Sequence, residues 1–250
     1  MKLVTVIFRY LPRKYRDLLK DSQLYFIYSL FQNLKLGLGK KVNFFSQTGE
    51  DELILRWLPE SYGVYIDIGA GQPVCGSNTY HFYKKGWKGI CVDPITDNHR
   101  MLKFVRKRDT IIQCLVSTTK GKLSFYEFVP YEYSTTVPAI AEKLKVTQGV
   151  RFKHVLSLDV LPLSEFAPAM DPRFPTLLSV DVEGADLEVL KSNDWSKTLP
   201  RVICVEELES ALVENKSMIR SYLESLNYTF IDKTFLSSIF VHSDYLNSTD

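Results

Sequence analysis

Four acidic residues stand where this sequence could do chemistry. Asp67, Asp93, Asp181 and Glu206 each lie at the end of a short apolar run: Val64-Tyr-Ile-Asp-Ile68, Gly89-Ile-Cys-Val-Asp93, Thr176-Leu-Leu-Ser-Val-Asp181 and Arg201-Val-Ile-Cys-Val-Glu206. Runs of this kind, rich in β-branched residues, read as strands of a parallel sheet covered on both faces. The first run leads into Gly69-Ala70-Gly71, where a missing Cβ lets the backbone turn tightly and approach a ligand. Ligands of open α/β sheets bind beyond the carboxyl ends of the strands. The fold therefore brings the four acids, with Glu183 just beyond Asp181, to one rim beside a glycine loop. Any one of them reads equally well as a surface acid; four on a common rim do not. A cationic or hydroxyl-rich ligand suits such a rim, whereas a polyphosphate is repelled by it.

The elements that must position these acids follow in order. Thr48, with Asp51 three residues on, reads as a helix start, and Leu53, Ile54, Trp57 and Leu58 give that helix an apolar face. Gln47 and Glu50 read either as part of its cap or as groups reaching over the ligand site. Ser77 to Gly86 reads as a helix opening toward the ligand, its N-terminal N–H groups free for an anion. A helix over 95–107 and a strand over 110–116 come next. Residues 117–160 break the rhythm with a strand over 123–129, a Tyr, Ser and Thr-rich turn holding Tyr131, Tyr133 and Ser134, and an extended piece over 153–158. This insertion reads equally as a lid or acceptor-binding wall and as a hairpin padding the sheet edge. After Gly184 a helix is expected with Leu187 and Leu190 inward and Asp186 and Glu188 outward. A helix over 211–226 and an antiparallel hairpin, 228–231 with 236–241, close the chain. Alternating strands and helices predict an α/β fold with a doubly wound, mostly parallel, seven-stranded Rossmann-like sheet and an antiparallel C-terminal hairpin.

Composition narrows the class. At 250 residues, 45% apolar and 24% charged, the chain has enough material for one ordinary α/β domain with an appendage. The net charge of +2 hides an asymmetry: residues 1–41 carry nine Lys/Arg against two Asp, a net of +7, and the other 209 a net of −5. The expected organisation is a basic, partly helical N-terminal arm over 1–41 and a domain over 42–250. Within the arm, residues 11–36 read as a helix, basic at Arg13, Lys14, Arg16 and Lys20 and aromatic at Tyr25, Phe26, Tyr28 and Phe31. Such a helix suits packing on the body or a second subunit, or contact with a membrane surface. Leu24 to Phe31 is far short of a membrane span, which takes roughly 20 apolar residues, and no signal-peptide layout is present. A cytoplasmic protein is expected, membrane-associated at most through the arm. Four cysteines without CxxC or Cys/His spacing exclude a disulfide framework and a structural zinc. Cys91, Cys114 and Cys204 lie in apolar runs and are expected to be buried, and Cys75 accessible. No nucleic-acid partner is implied.

Four motifs carry a family resemblance: FSQTGEDELIL, VYIDIGAGQPVCGSNTYHFYKKGWKGICVDP, LLSVDVEGADLEVLKSNDW and VICVEE, in this order and spacing. Over roughly residues 42–242 the chain resembles the FkbM family of S-adenosylmethionine-dependent methyltransferases. The resemblance implies a class I methyltransferase fold and transfer of a methyl group from the sulfonium of S-adenosylmethionine to an acceptor hydroxyl on a saccharide or natural product. It implies that Asp67, Gly69, Ala70 and Gly71, with Gln47 nearby, face the amino-acid end of the cofactor. Asn78 and Thr79 would hold its carboxylate, and Asp93, with Pro94 behind it, would accept from both ribose hydroxyls. Val116 and Ser117 would flank the adenine, and Asp181 would stand where the methyl group emerges. An alcohol acceptor needs a general base; the catalytic candidates are Asp181, Glu183 and Glu206 ahead of His81 and His154. Glu207 stands where many relatives carry a histidine, so no histidine is expected to act there. Hard divalent cations favour carboxylates, but nothing in the spacing requires one and no metal site is expected.

Two other readings keep the fold. One is a methyltransferase-fold adaptor that binds without turnover. The other is an NAD-dependent sugar-nucleotide enzyme, which needs a phosphate-friendly GxGxxG; here the loop runs Gly69-Ala-Gly71-Gln-Pro-Val-Cys-Gly76, two residues too long and preceded by Asp67.

Overall fold

The computed structural model describes residues 23–39, 43–207 and 215–247. Its elements are α1 (Gln23–Gly37), α2 (Glu50–Leu55), β1 (Val64–Ile68), α3 (Tyr80–Lys84), β2 (Lys88–Val92), α4 (Thr96–Val105), β3 (Thr110–Ile112), β4 (Leu115–Val116), β5 (Gly121–Val129), α5 (Pro138–Lys145), β6 (Arg151–Leu161), β7 (Thr176–Val180), α6 (Asp186–Lys191), β8 (Val202–Glu206), α7 (Asn215–Ser225), β9 (Tyr228–Lys233), β10 (Ser237–His242) and α8 (Ser243–Leu246). Chain contacts divide it into two compact units: residues 42–121 with 159–250, and the arm with 122–158.

The larger unit holds a seven-stranded sheet of order β3-β2-β1-β7-β8-β10-β9. The first five strands run parallel and β10 is antiparallel to both β8 and β9. The central strands are apolar on both faces because helices cover both. Period-two alternation sorts their side chains. Ile66, Ile68, Leu178, Val180, Ile203 and Val205 point to one face, where Val189 and Leu190 of α6 and Ile219 and Leu223 of α7 join them. Tyr65, Cys91, Leu177, Val202 and Cys204 point to the other, packed with Ile54 of α2, Phe82 of α3 and Leu102 of α4. The expected sheet and C-terminal hairpin are both present.

Four local expectations need correction. The run 110–116 is not one strand: β3 ends at Ile112, and Leu115–Val116 pairs with Val160–Leu161 in a second sheet of order β4-β6-β5. The insertion is accordingly not a hairpin added to the edge of the main sheet. Thr48 does not cap α2; the N-cap is Gly49, in the left-handed region, and the acids of the first turn reach back instead. Asp51 accepts from the Phe45 amide (2.8 Å) and Ser46 Oγ (2.6 Å), and Glu50 accepts from the Thr48 amide (2.9 Å) and Thr234 Oγ1 (2.7 Å). Asp186 faces inward: its carboxylate accepts from the amides of Val182 and Gly184, both at 3.1 Å, and is buried by doing so. Of the predicted helix over 11–36, residues 23–37 are helical and 11–22 lie outside the described residues.

Within the smaller unit, α1 precedes a segment in which β5 and β6 flank a 3-10 turn over Tyr131–Tyr133 and helix α5. Phe128 packs edge-on against Phe152 there, and buried Glu127 bonds both Lys153 and His154.

Candidate functional site

Strand register assembles the acids. Ile68 lies level with Val92 and Val180, and Val180 with Val205. One step further, the same register sets Gly69, Asp93, Asp181 and Glu206 in a row across four adjacent strands, which lie about 4.8 Å apart. Asp67 is two residues back from Gly69 and shares its face. All four acids therefore leave the sheet on the side of α2, α3 and α4, at the carboxyl ends of the strands. The sequence put them on one rim; the pleat puts them on one side of it.

Gly69 is required by this closeness. Its φ is +77°, and a Cβ there would fall 1.7 Å from the Asp181 carbonyl oxygen. The crossing is pinned by Asp181 N donating to Ile68 O (2.9 Å) and by Gly69 and Ala70 N both donating to Val92 O (2.9 and 3.0 Å). Gly71, with φ +58°, turns so that its amide donates to Asp93 Oδ2 at 2.8 Å. Asp93 Oδ1 takes the Ile95 amide at 2.8 Å, and Asn98 Nδ2 lies 3.3 and 3.4 Å from the two oxygens. A carboxylate offers about four acceptor positions, so two strong backbone bonds leave capacity for a ligand's hydroxyls. Burial pushes the Asp93 carboxyl up to about 7, against the pull of the Ile95 and Gly71 amides.

Asp67, 4% exposed, is raised by burial and accepts from Thr79 Oγ1 at 2.5 Å. Thr79 is itself fully buried, so its hydroxyl serves Asp67 rather than a ligand's carboxylate. Asn78 Nδ2 donates to Ser179 Oγ (3.2 Å) and approaches Cys204 Sγ (3.9 Å), on the acid face of the sheet. Gln47 is exposed; its neighbour Ser46 bridges to Gly76, and its own Cγ would lie 3.5 Å from a Cβ on that glycine. The Pro94 carbonyl accepts from Gln113 Nε2 at 3.1 Å. Val116 and Ser117 stand on and after β4, in the second sheet, rather than on the main sheet's edge strand.

Asp181, Glu183 and Glu206 form the chemically distinctive cluster. One oxygen from each lies within 4.8 Å of the others. Glu183 adopts φ +55°, a left-handed conformation that costs a non-glycine residue about 1–3 kcal/mol. The Asp181 carboxyl lies within hydrogen-bonding reach of Glu206, which also accepts from the Glu183 amide. Burial first, and then the charges of Glu206, Glu183 and Asp186, hold the Asp181 carboxyl well above its ordinary range. Burial and the charges of Glu183 and Asp186 push Glu206 up to about 7. Three carboxylates this close could ligate a hard cation, and equally two of them can hold one mobile proton. Glu207 lies outside the cluster, accepting from Ser238 Oγ. His81 Nδ1 stands 3.7 Å from Asp51, and His154 belongs to the smaller unit, where its Nε2 is 3.1 Å from Glu127. As expected, Cys75 is exposed and the other cysteines are buried.

Among the described residues, Asp67, Asp93, Asp181 and Glu206 form no ion pair. Carboxylates gathered on one side of a rim do not suit a pyrophosphate, whose charges they repel. A mostly parallel α/β sheet with acids and a glycine loop at the carboxyl ends of its strands defines the class of ligand-binding α/β domain. Residues 67–230, more than half of the chain, match the methyltransferase FkbM domain, and the chain belongs to that family. It is an S-adenosylmethionine-dependent methyltransferase. No curated protein matches the chain. Among solved structures it is similar to a TehB-like S-adenosylmethionine-dependent methyltransferase from Corynebacterium glutamicum, at 13% identity and TM-score 0.44, over 86% of this chain and 96% of that one. A methyltransferase from Geobacter sulfurreducens matches at 13% identity and TM-score 0.42, over 96% and 95% of the two chains. The 1,6-didemethyltoxoflavin-N1-methyltransferase of Burkholderia thailandensis matches at 13% identity and TM-score 0.40, over 92% and 88%. Among the described residues, no helix is long and apolar enough to cross a membrane.

Proposed function

We propose that this chain methylates a hydroxyl group of a saccharide or natural-product acceptor, using the Asp181–Glu206 pair as its general base. Bound S-adenosylmethionine supplies a methyl group already activated on a sulfonium. Asp67 and the Gly69–Gly71 loop receive the ammonium end, directly or through water, and Asp93 accepts from the ribose hydroxyls. Asn78 fixes the floor between β7 and β8 through Ser179. With both partners held, positioning supplies much of the rate. The step left to the protein is removal of the acceptor's proton. Glu206, near half-ionised at neutral pH, takes that proton, and Asp181 shares it.

The observation that carries this reading is the close approach of the Asp181 and Glu206 carboxyls at the strand ends, with burial and the neighbouring acids raising both. A nitrogen acceptor with a lone pair needs no such base, whereas an alcohol does. The test is incubation with S-adenosylmethionine radiolabelled in the methyl group and saccharide fractions of the host. Label in a base-stable ether is the expected result; label in protein or in a base-labile ester overturns the hydroxyl assignment.

The close approach of Asp181, Glu183 and Glu206 supports one rival reading, in which a divalent cation held by these acids lowers the acceptor's pKa. Chelation separates the two, as set out below.

A further inference from the structure

Arg106 lies among charges, in Arg106-Lys-Arg-Asp109, and nothing in that run marks it as part of a site. It is nevertheless 1% exposed, with every guanidinium nitrogen engaged. Nε donates to Asp109 Oδ2 at 2.8 Å, and Nη1 to the Pro73 carbonyl, in the glycine loop, at 3.1 Å. Nη2 donates to Thr79 Oγ1 at 2.6 Å and to Tyr65 Oη at 3.2 Å. The Thr79 hydroxyl, having accepted from Arg106, spends its single proton on Asp67 Oδ2 at 2.5 Å.

From this relay we infer that Arg106 is a positioning residue for the ammonium end of the cofactor site. Through Thr79 it fixes the Asp67 carboxylate, and through Pro73 it fixes the far end of the loop whose near end Asp93 holds. The inference rests on the cofactor reading proposed above. Two features separate this role from ordinary core packing. A buried guanidinium has five N–H donors to satisfy; Asp109 engages only Nε, and the additional bonds to Thr79 and Pro73 direct the remaining nitrogens to one segment of the chain. Both additional bonds run to the segment between β1 and α3 that follows the motif acid. Charge points the same way. Burial raises the Asp67 carboxyl, while the Thr79 bond and the Arg106 charge lower it, so Arg106 favours the ionised form that an ammonium requires.

Removing Arg106 outright strands a buried Asp109, so the primary variant is Thr79→Val, which cuts the relay and keeps the arginine's other partners. Arg106→Lys is the second variant and Thr79→Ser the rescue. The probes are S-adenosylhomocysteine, which carries the amino-acid end, and methylthioadenosine, which lacks it. By calorimetric titration, Thr79→Val and Arg106→Lys lose at least tenfold in affinity for S-adenosylhomocysteine and stay within twofold for methylthioadenosine. Thr79→Ser stays within threefold of the unsubstituted protein for both. Parallel loss of both ligands, or no loss of either, overturns the inference; if Arg106→Lys does not fold, Thr79→Val decides alone. An unsubstituted protein that binds neither ligand refutes the cofactor reading itself, a result distinguishable from failure of the relay.

Discussion

Glu206 sets the most informative pH dependence. Its carboxyl is pushed up to about 7 by burial and by Glu183 and Asp186. A base with that ionisation is about 9% active at pH 6 and about 91% active at pH 8, so methyl transfer at saturating cofactor should rise about tenfold between them. The limb belongs to the Asp181–Glu206 pair rather than to either acid alone. Glu206→Gln keeps the size and the acceptor oxygen for the Glu183 amide but can no longer take a proton. Loss of a general base costs about 10²–10⁴-fold in rate, and the pH limb should go with it. Affinity for S-adenosylhomocysteine should stay within a few-fold, because Glu206 touches the acceptor side. The assay is incorporation of radiolabelled methyl into the saccharide fraction, at pH 6, 7 and 8, for both proteins. A flat profile in the unsubstituted protein, or a Glu206→Gln rate within threefold of it, refutes the base assignment.

Three further outcomes follow from the geometry. Asp93 and Asp186 are pushed up to about 7 and about 6 by burial, so the folded protein holds protons that the unfolded chain releases near pH 4. Unliganded stability should therefore be greatest below about pH 4 as far as these groups are concerned, and should fall by up to about 1.4 kcal/mol per pH unit for each of them between there and its folded-state value, levelling off above it; urea unfolding at pH 5, 6 and 7 with a rising or level midpoint would contradict this. Gly69→Ala sets a Cβ against the Asp181 carbonyl at a positive φ, which should cost about 3 kcal/mol or more and separate β1 from β7; a melting temperature within 2 °C of the unsubstituted protein, by the approximate scale of such shifts, would show that the crossing yields. Exhaustive chelation should leave methyl transfer unchanged, whereas loss with EDTA and recovery with Mg²⁺ would replace the proton-sharing pair by a metal centre at Asp181, Glu183 and Glu206.

Much of this site could be read from the sequence because its parts are local. An apolar run ending in an acid and then Gly-Ala-Gly encodes strand, carboxylate and turn within eight residues, and parallel pairing carries four such ends to one rim. The face on which the acids stand needed register: Asp67, Asp93, Asp181 and Glu206 share a side only because Ile68, Val92, Val180 and Val205 lie level. The split of 110–116 was hidden because Thr110-Ile-Ile and Leu115-Val116 are equally β-prone, and only the partner strand decides which sheet takes each. Asp186 reads as an outward acid at a helix start, yet the turn over Asp181–Gly184 exposes two amides that draw it in. Arg106 was hardest to find. Its neighbours Lys107 and Arg108 make it look solvated, and the signal that could have found it is the buried Tyr65 and Thr79 hydroxyls, which need partners inside the core.

Calorimetric titration with S-adenosylmethionine, beside NADH, tests the central claim most directly: that buried carboxylates on one side of the rim receive a sulfonium nucleoside. Saturable binding of S-adenosylmethionine at one site per chain is predicted, abolished by Asp93→Ala, with no heat from NADH. Equal binding of NADH, or S-adenosylmethionine binding that survives Asp93→Ala unchanged, would contradict it.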